Sequence, residues 1–215
     1  SILKKRPNAQ DLEPILFSGP EQEKFIKDLL AGDIADGNRE WTPELHAALT
    51  TSGFARELRD LILRANERKF GPGKLAELGN SNEEPFWEAA AKFWQRYLKN
   101  LAMQEDSAGD SKRRLDTSEI VSSAVHRLEQ RPDILEELRS QFTTIMVDEY
   151  QESDPQQRDL LRILACDDMI LCADDLSTVG RFRGADPEGL SQELDHYRDK
   201  GRLLALDINY RNSPE

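Results

Sequence analysis

Ile145-Met146-Val147 is a short apolar run of strand formers, too short for a helix, and Asp148 and Glu149 end it abruptly. Such a segment predicts a buried strand that delivers two carboxylates at its C-terminal edge. Open parallel sheets place their ligands at that edge. An Asp-Glu pair there suits a magnesium ion and an activated water. In a nucleotide site the first acid would hold Mg2+, directly or through water, and the second would orient or deprotonate the attacking water. From the two acids alone, a solvated strand end is an equal alternative, because charged pairs are common on surfaces.

The segments that follow repeat the theme. Pro155 to Ala165 predicts a helix with Leu160, Leu161 and Leu164 facing inward, and Met169 to Ala173 a second buried strand. Pro187 to about Lys200 predicts another helix, and Leu203 to Leu206 a third strand. A β-α-β-α-β order argues for a parallel sheet with right-handed crossovers.

The first 140 residues read as almost entirely helical. Residues 1–17 carry little pattern. Ser18 then caps a helix, with Pro20 in its first turn and Glu21 at capping-box spacing; Phe25, Ile26, Leu29 and Leu30 form its apolar face, and it ends near Gly32. Thr42-Pro43 restarts a helix behind Trp41, which reads as a packing anchor in preference to a base-stacking platform. Phe54, Leu58, Leu61, Ile62 and Ala65 make residues 53–69 amphipathic. Arg56, Arg59, Arg64, Arg68 and Lys69 on that helix alternate with Glu57, Asp60 and Glu67, so a salt-bridged face outweighs a phosphate-binding one. Gly71-Pro72-Gly73 and Asn80-Ser81-Asn82 read as breaks. A long helix runs from Pro85 to about Met103, and Asp106 to Arg114 reads as a polar loop. Asp116 or Thr117 caps the next helix, and Pro132 opens a short one. His46, His126 and His196 have no ligand spacing, and Cys166 and Cys172 read as reduced core residues.

Val147-Asp148-Glu149-Tyr150-Gln151-Glu152-Ser153-Asp154-Pro155-Gln156-Gln157 resembles the Walker B segment, motif II, of UvrD/Rep-type superfamily 1 DNA helicases. Residues 173–185, ending in Phe182-Arg183-Gly184-Ala185, look like motif III, and Asn209-Tyr210-Arg211-Asn212-Ser213 looks like motif IV. Residues 16–30 and 53–64 are similar to actinobacterial helicase–nucleases of the AddAB/AdnAB, RecB-like group. The resemblance implies an α/β fold: a mainly helical insertion subdomain, residues 1–140, followed by the second half of a RecA-like parallel-sheet ATPase domain, residues 141–215. It implies ATP and Mg2+ as cofactors, with Asp148 and Glu149 at the metal, Glu149 as catalytic base and Gln151 near the γ-phosphate or the link to motif III. It implies that Tyr210 stacks on adenine and that Arg211 contacts the γ-phosphate. Phe182 would stack on a base of single-stranded DNA, with Arg183 supporting that loop. From its residue type alone, Phe182 reads as a buried loop anchor.

The chain departs from the pattern in motif III. Ser177 stands where a γ-phosphate-sensing Gln is usual, Leu176 replaces an Asp, and Gly180 replaces a base-stacking aromatic. Ser is too short for the Gln's work, which implies a motor-impaired subunit. No G-x-x-x-x-G-K-[ST] occurs in the 215 residues, so the chain is not expected to hydrolyse ATP alone and reads as an excised portion of a longer helicase. The expected partners are single-stranded or duplex DNA, a second copy paired through an incomplete sheet edge, and a second helicase–nuclease subunit. The net charge of −12 argues against a broad DNA-binding surface on this stretch. That charge, the missing phosphate loop and the altered motif III support the alternative, a degenerate helicase-like interaction or regulatory module. Intact Asp148-Glu149 and Tyr210-Arg211 support the motor. With no apolar run near the ~20 residues of a membrane span and no signal-peptide pattern, the chain reads as cytoplasmic.

Overall fold

Ser18 begins the first helix as its residues predict. The Glu21 carboxylate accepts both the Ser18 N–H, at 2.9 Å, and the Ser18 hydroxyl, at 2.5 Å. In the computed structural model, which describes residues 13–37, 40–108, 112–165, 168–174, 176–206 and 208, this helix, α1, spans Gly19–Ala35, slightly beyond the expected end. A 3-10 turn at Pro43–Leu45 replaces the expected second helix. Next come α2 (Ser52–Glu67), α3 (Pro72–Ser81) and α4 (Pro85–Ala108). The Thr51 hydroxyl caps α2 by accepting the Phe54 N–H at 3.1 Å. The Gly-Pro-Gly break is thus the start of α3, with Pro72 in its first turn.

The apolar faces of α1, α2 and α4 meet in one core that includes Ile26, Leu30, Trp41, Phe54, Leu58, Phe93, Trp94 and Tyr97. Trp41 is an anchor in this core, as expected, edge-on to Phe54 with centroids 5.2 Å apart. Several basic residues on and just past α2 engage acids: Arg59 pairs with Asp60, Arg64 with Glu67, and Lys69 with Asp159.

Two short strands lie where none was predicted. β1 (Glu13–Leu16) pairs in parallel with β2 (Lys112–Leu115), and Phe17 N–H extends the ladder to Leu115 O at 2.8 Å. Pro14 in one strand and Lys112-Arg113-Arg114 in the other conceal any alternation, so the residues expected to be patternless or loop are partly sheet. Asp116 then caps α5 (Thr117–Gln130), and α6 (Pro132–Arg139) follows.

β3 (Thr144–Val147) and β4 (Asp168–Leu171) form the predicted parallel pair, with α7 (Pro155–Leu164) as the crossover. Ile145 faces Met169 and Val147 faces Leu171 across the ladder. α7 lays Leu160, Ile163 and Leu164 on Leu128, Ile134 and Leu138 of α5 and α6. A 3-10 turn at Gly180–Arg183 and α8 (Pro187–Asp199) complete the described elements. The described residues are therefore mostly helical, with two small parallel sheets among them.

Two expectations for the sheet fail. The strands are not buried: Met146 is 73% exposed and Ile170 is exposed as well, because two strands alone leave one face uncovered. Leu203–Leu206, expected as a third strand, has no strand partner among the described residues, and Leu204 and Leu206 stand in solvent. Cys172 is also exposed, just past β4, where a core position was expected; Cys166 lies outside the described residues.

Candidate nucleotide-hydrolysis site

The C-terminal ends of β3 and β4 hold the acids apart from the ladder. Cys172 N–H donates to Val147 O at 2.8 Å, and Tyr150 N–H donates to Cys172 O at 2.9 Å. Asp148 and Glu149 lie between those two bonds and bow outward together. Glu149 adopts the left-handed region, with φ 53° and ψ 40°, which costs a non-glycine residue about 1 kcal/mol. Its own N–H is held by the Asp148 Oδ1 at 3.0 Å.

A 3-10 turn, Tyr150–Glu152, then buries Gln151 beneath the acids. The Gln151 amide Nε2 donates to Glu149 Oε2 at 2.5 Å, while its Oε1 accepts the Asp174 N–H at 3.0 Å. One side chain thus joins the end of β3 to the segment after β4. Asp174 accepts the Ser177 hydroxyl at 2.6 Å and the Leu176 N–H at 3.1 Å. The Ser177 bond, above all, holds the Asp174 carboxyl below the usual carboxylate range. Ser177 is therefore engaged with Asp174.

Asp148, Glu149, Gln151, Cys172, Ala173 and Asp174 line an open cleft of about 180 Å3. That is well below the ~300 Å3 of sites that enclose a whole small molecule, and it suits a hydrated ion with part of a phosphate chain. Among the described residues no set of three or more His, Cys, Asp or Glu is arranged to hold a metal ion. Mg2+ binds through one or two carboxylates with the remaining positions filled by phosphate oxygens and water, so the Asp148-Glu149 pair fits that mode of binding.

The floor of the site is fixed by groups that sequence reasoning missed. Tyr150 is buried, and its hydroxyl donates to Glu193 Oε2 at 2.6 Å; burial and then this bond push the phenol above its usual range. Glu193 also pairs with Arg162. Arg158 is only 2% exposed, lies 5.3 Å from the centre of the Tyr150 ring and donates to Asp186 O at 2.7 Å. The leucine spacing of this helix gives no signal for Arg158, which is buried because Tyr150 and Asp186 pack against it. Gln156, two residues earlier, is buried too and donates to Asn66 O of α2 at 2.5 Å.

Of the residues singled out from sequence, Asp148, Glu149 and Gln151 come together here. Phe182 and Arg183 lie on the Gly180–Arg183 turn, whose leading residue Val179 donates its N–H to Glu152 at 2.8 Å. Tyr210 and Arg211 lie outside the described residues. No described helix is long and apolar enough to cross a membrane.

Residues 2–198 match the family model described as "UvrD/REP helicase N-terminal domain". Among curated proteins, the chain is 28% identical over 124 residues to "Putative ATP-dependent DNA helicase YjcD" of Bacillus subtilis, covering 56% of this chain and 16% of that protein. It is 26% identical over 182 residues to "Exonuclease/helicase subunit RexA" of Streptococcus pneumoniae, covering 78% and 15%. An ATP-dependent helicase/nuclease subunit of Streptococcus equi subsp. zooepidemicus is 32% identical over 102 residues, covering 46% and 8%. The chain thus spans between 8% and 16% of the length of these relatives. With a family match across residues 2–198, the chain belongs to the UvrD/REP helicase N-terminal domain family.

Proposed function

We propose that this chain is part of the motor of an ATP-dependent, single-strand-translocating DNA helicase that acts in DNA repair or recombination. Residues 1–140 would form its helical insertion and residues 141–215 part of its RecA-like domain. The observation that carries this reading is Gln151. It joins the Glu149 carboxylate to the backbone of Asp174, so the acid at the hydrolytic position is wired to the segment that leads to the Gly180–Arg183 turn.

In this reading Asp148 would hold Mg2+ at the cleft, where the ion would supply charge neutralisation for the phosphates. Glu149 orients the attacking water and takes its proton. The left-handed turn aims that carboxylate outward, and the Gln151 amide keeps it from swinging. Tyr210 stacks on adenine, and Arg211 offers a guanidinium to the γ-phosphate. Phe182 and Arg183 meet a single strand of DNA, so that hydrolysis and strand movement are linked through the Gln151–Asp174 bond. The ATP site is completed by a phosphate loop supplied outside these 215 residues, which makes the chain inactive alone. The relatives named as helicase/nuclease subunits suggest that a second subunit is its partner, and a motor acting on DNA in this way would work in the cytoplasm.

One observation favours the competing reading, an interaction module without motor activity: Ser177 is engaged with Asp174 and is too short to reach a γ-phosphate from there. ATPase assays of the complete gene product with single-stranded DNA separate the two. Glu149→Gln is expected to lower kcat about 10^2- to 10^4-fold with nucleotide binding retained. Unchanged turnover in that variant, or no DNA-stimulated turnover in the parent protein, would sink the motor reading.

A further inference from the structure

Carboxylates from distant parts of the chain lie against both ends of the Gly180–Arg183 turn, one by a hydrogen bond and one by close packing. At its start Glu152 Oε1 accepts the Val179 N–H at 2.8 Å. The other carboxylate oxygen sits where a side chain on residue 180 would begin, since a Cβ at Gly180 would stand 1.8 Å from Glu152 Oε2. At its end Gly184 has φ 93°, and a Cβ there would stand 2.2 Å from Glu67 Oε2 and 2.8 Å from Arg64 Nη1. Bare glycine at both positions leaves the room that Glu152 at one end and the Arg64–Glu67 pair at the other occupy.

Arg64 and Glu67 pair at 2.5 Å on the last turn of α2, and Glu67 is buried. The same end of α2 is fastened to α7 by the Gln156–Asn66 hydrogen bond and the Lys69–Asp159 pair. α7 is in turn capped by Asp154, whose carboxylate accepts the Gln156 and Gln157 N–H groups at 2.8 and 2.9 Å. The end of α2, the first turn of α7 and Gly184 therefore form one packed junction. It joins α2 to α7 and reaches the turn without passing through the acidic cleft.

We propose that Glu152 and Glu67, the latter with Arg64, are positioning residues that clamp the Gly180–Arg183 turn at its two glycine ends and so fix the backbone carrying Phe182 and Arg183 against a single strand of nucleic acid. The proposal rests on the motor reading above. A short turn without a strand partner loses order readily, and a contact surface that must be ordered on binding gives up affinity. Two carboxylates, one from the segment that carries Glu149 and one from α2, supply that order beforehand. The glycine at 180, where an aromatic is usual in the resembling motif, makes room for the first of them.

The test is the ATPase rate of the complete gene product against the concentration of an oligo-dT strand. Glu152→Ala and Glu67→Ala are each expected to raise the half-saturating strand concentration about tenfold, with the DNA-free rate of the Glu67 variant unchanged. Glu152→Gln keeps an acceptor for the Val179 N–H and should stay within about twofold of the parent. Gly184→Ala, which adds both strain and a clash, should behave like Glu67→Ala. Should Glu67→Ala fail to fold, Glu67→Gln keeps the shape and should still shift half-saturation about threefold. Folded variants that saturate at the parent's strand concentration overturn the clamp, as does an equal fall in DNA-free turnover. If the parent protein itself shows no stimulation by the strand, the motor reading fails and the clamp goes with it; stimulation that every variant retains unaltered defeats the clamp alone.

Discussion

The core between Phe17 and Leu101 and the paired ends of β3 and β4 are ordered by different forces. In the first, Trp41, Phe54, Phe86 and Phe93 pack with ring centroids 5.2 to 6.2 Å apart, around the buried faces of α1, α2 and α4. Apolar burial decides that shape, and hydrogen bonds mostly finish helix ends. In the second, the strands expose Met146 and Ile170, and the local path of the chain is set by Gln151, Asp174 and the two backbone bonds of Cys172. A region held by burial resists change in proportion to the volume lost. One held by a few directional bonds can be reset by altering a single partner.

The largest test of that contrast is Trp94→Ala. Trp94 is buried in the aromatic core, and its loss should cost about 3–5 kcal/mol in urea unfolding. A loss under about 1 kcal/mol would mean that the core is loose and the contrast false.

Glu67 tests the boundary between the regions. Burial, the largest influence, raises its carboxyl to about 7, against the pull of Arg64; Asp154 and Asp116 push the same way. Below pH 4.5 the group is protonated both folded and unfolded, so ionisation costs nothing. Between 4.5 and about 7 the unfolded chain releases the proton and the folded one keeps it, so stability falls as pH rises. Glu67→Gln lacks that loss. Its stability relative to the parent should therefore climb by at most about 3 kcal/mol from pH 4.5 to pH 8. A difference that stays flat across those pH values would place the carboxyl in contact with solvent.

Two left-handed residues offer a smaller and sharper comparison. Glu83 has φ 56° between α3 and α4, and Glu83→Gly should stabilise the fold by about 0.5–1 kcal/mol through relief of strain. Glu149→Gly relieves the same strain but leaves the Gln151 amide without its acceptor, so its net gain should be close to zero. Equal gains in thermal unfolding would show that the Gln151 bond contributes nothing. Smallest of all, Met146→Ser on the uncovered face should change stability by under about 0.5 kcal/mol.

Much of the helical half was legible because its signals are local. Ser18 with Glu21, Asp116 with Glu119, and the 3.6-residue spacing of Phe54, Leu58 and Ile62 need no knowledge of neighbours. The β3–α7–β4 unit was legible from strand formers ending in acids. What was not legible depends on partners remote in sequence. β1 and β2 are joined across nearly a hundred residues by backbone bonds that their side chains do not advertise. Arg158 is buried only because Tyr150 and Asp186 come to it. Leu203–Leu206 has the composition of a strand, but composition does not supply a neighbour to pair with.

Gln151 is narrowly constrained in what could replace it. Its nitrogen meets a carboxylate that only accepts, and its oxygen meets an N–H that only donates, so the amide has one permitted orientation. Glu would set two carboxylates against each other, Lys would offer the Asp174 N–H nothing, and Asn falls one methylene short of spanning both groups. The position is thus a chemical lock with a single fitting key. It makes the line from the Glu149 carboxylate to the loop beyond β4 directional, with a donor end and an acceptor end that cannot trade places.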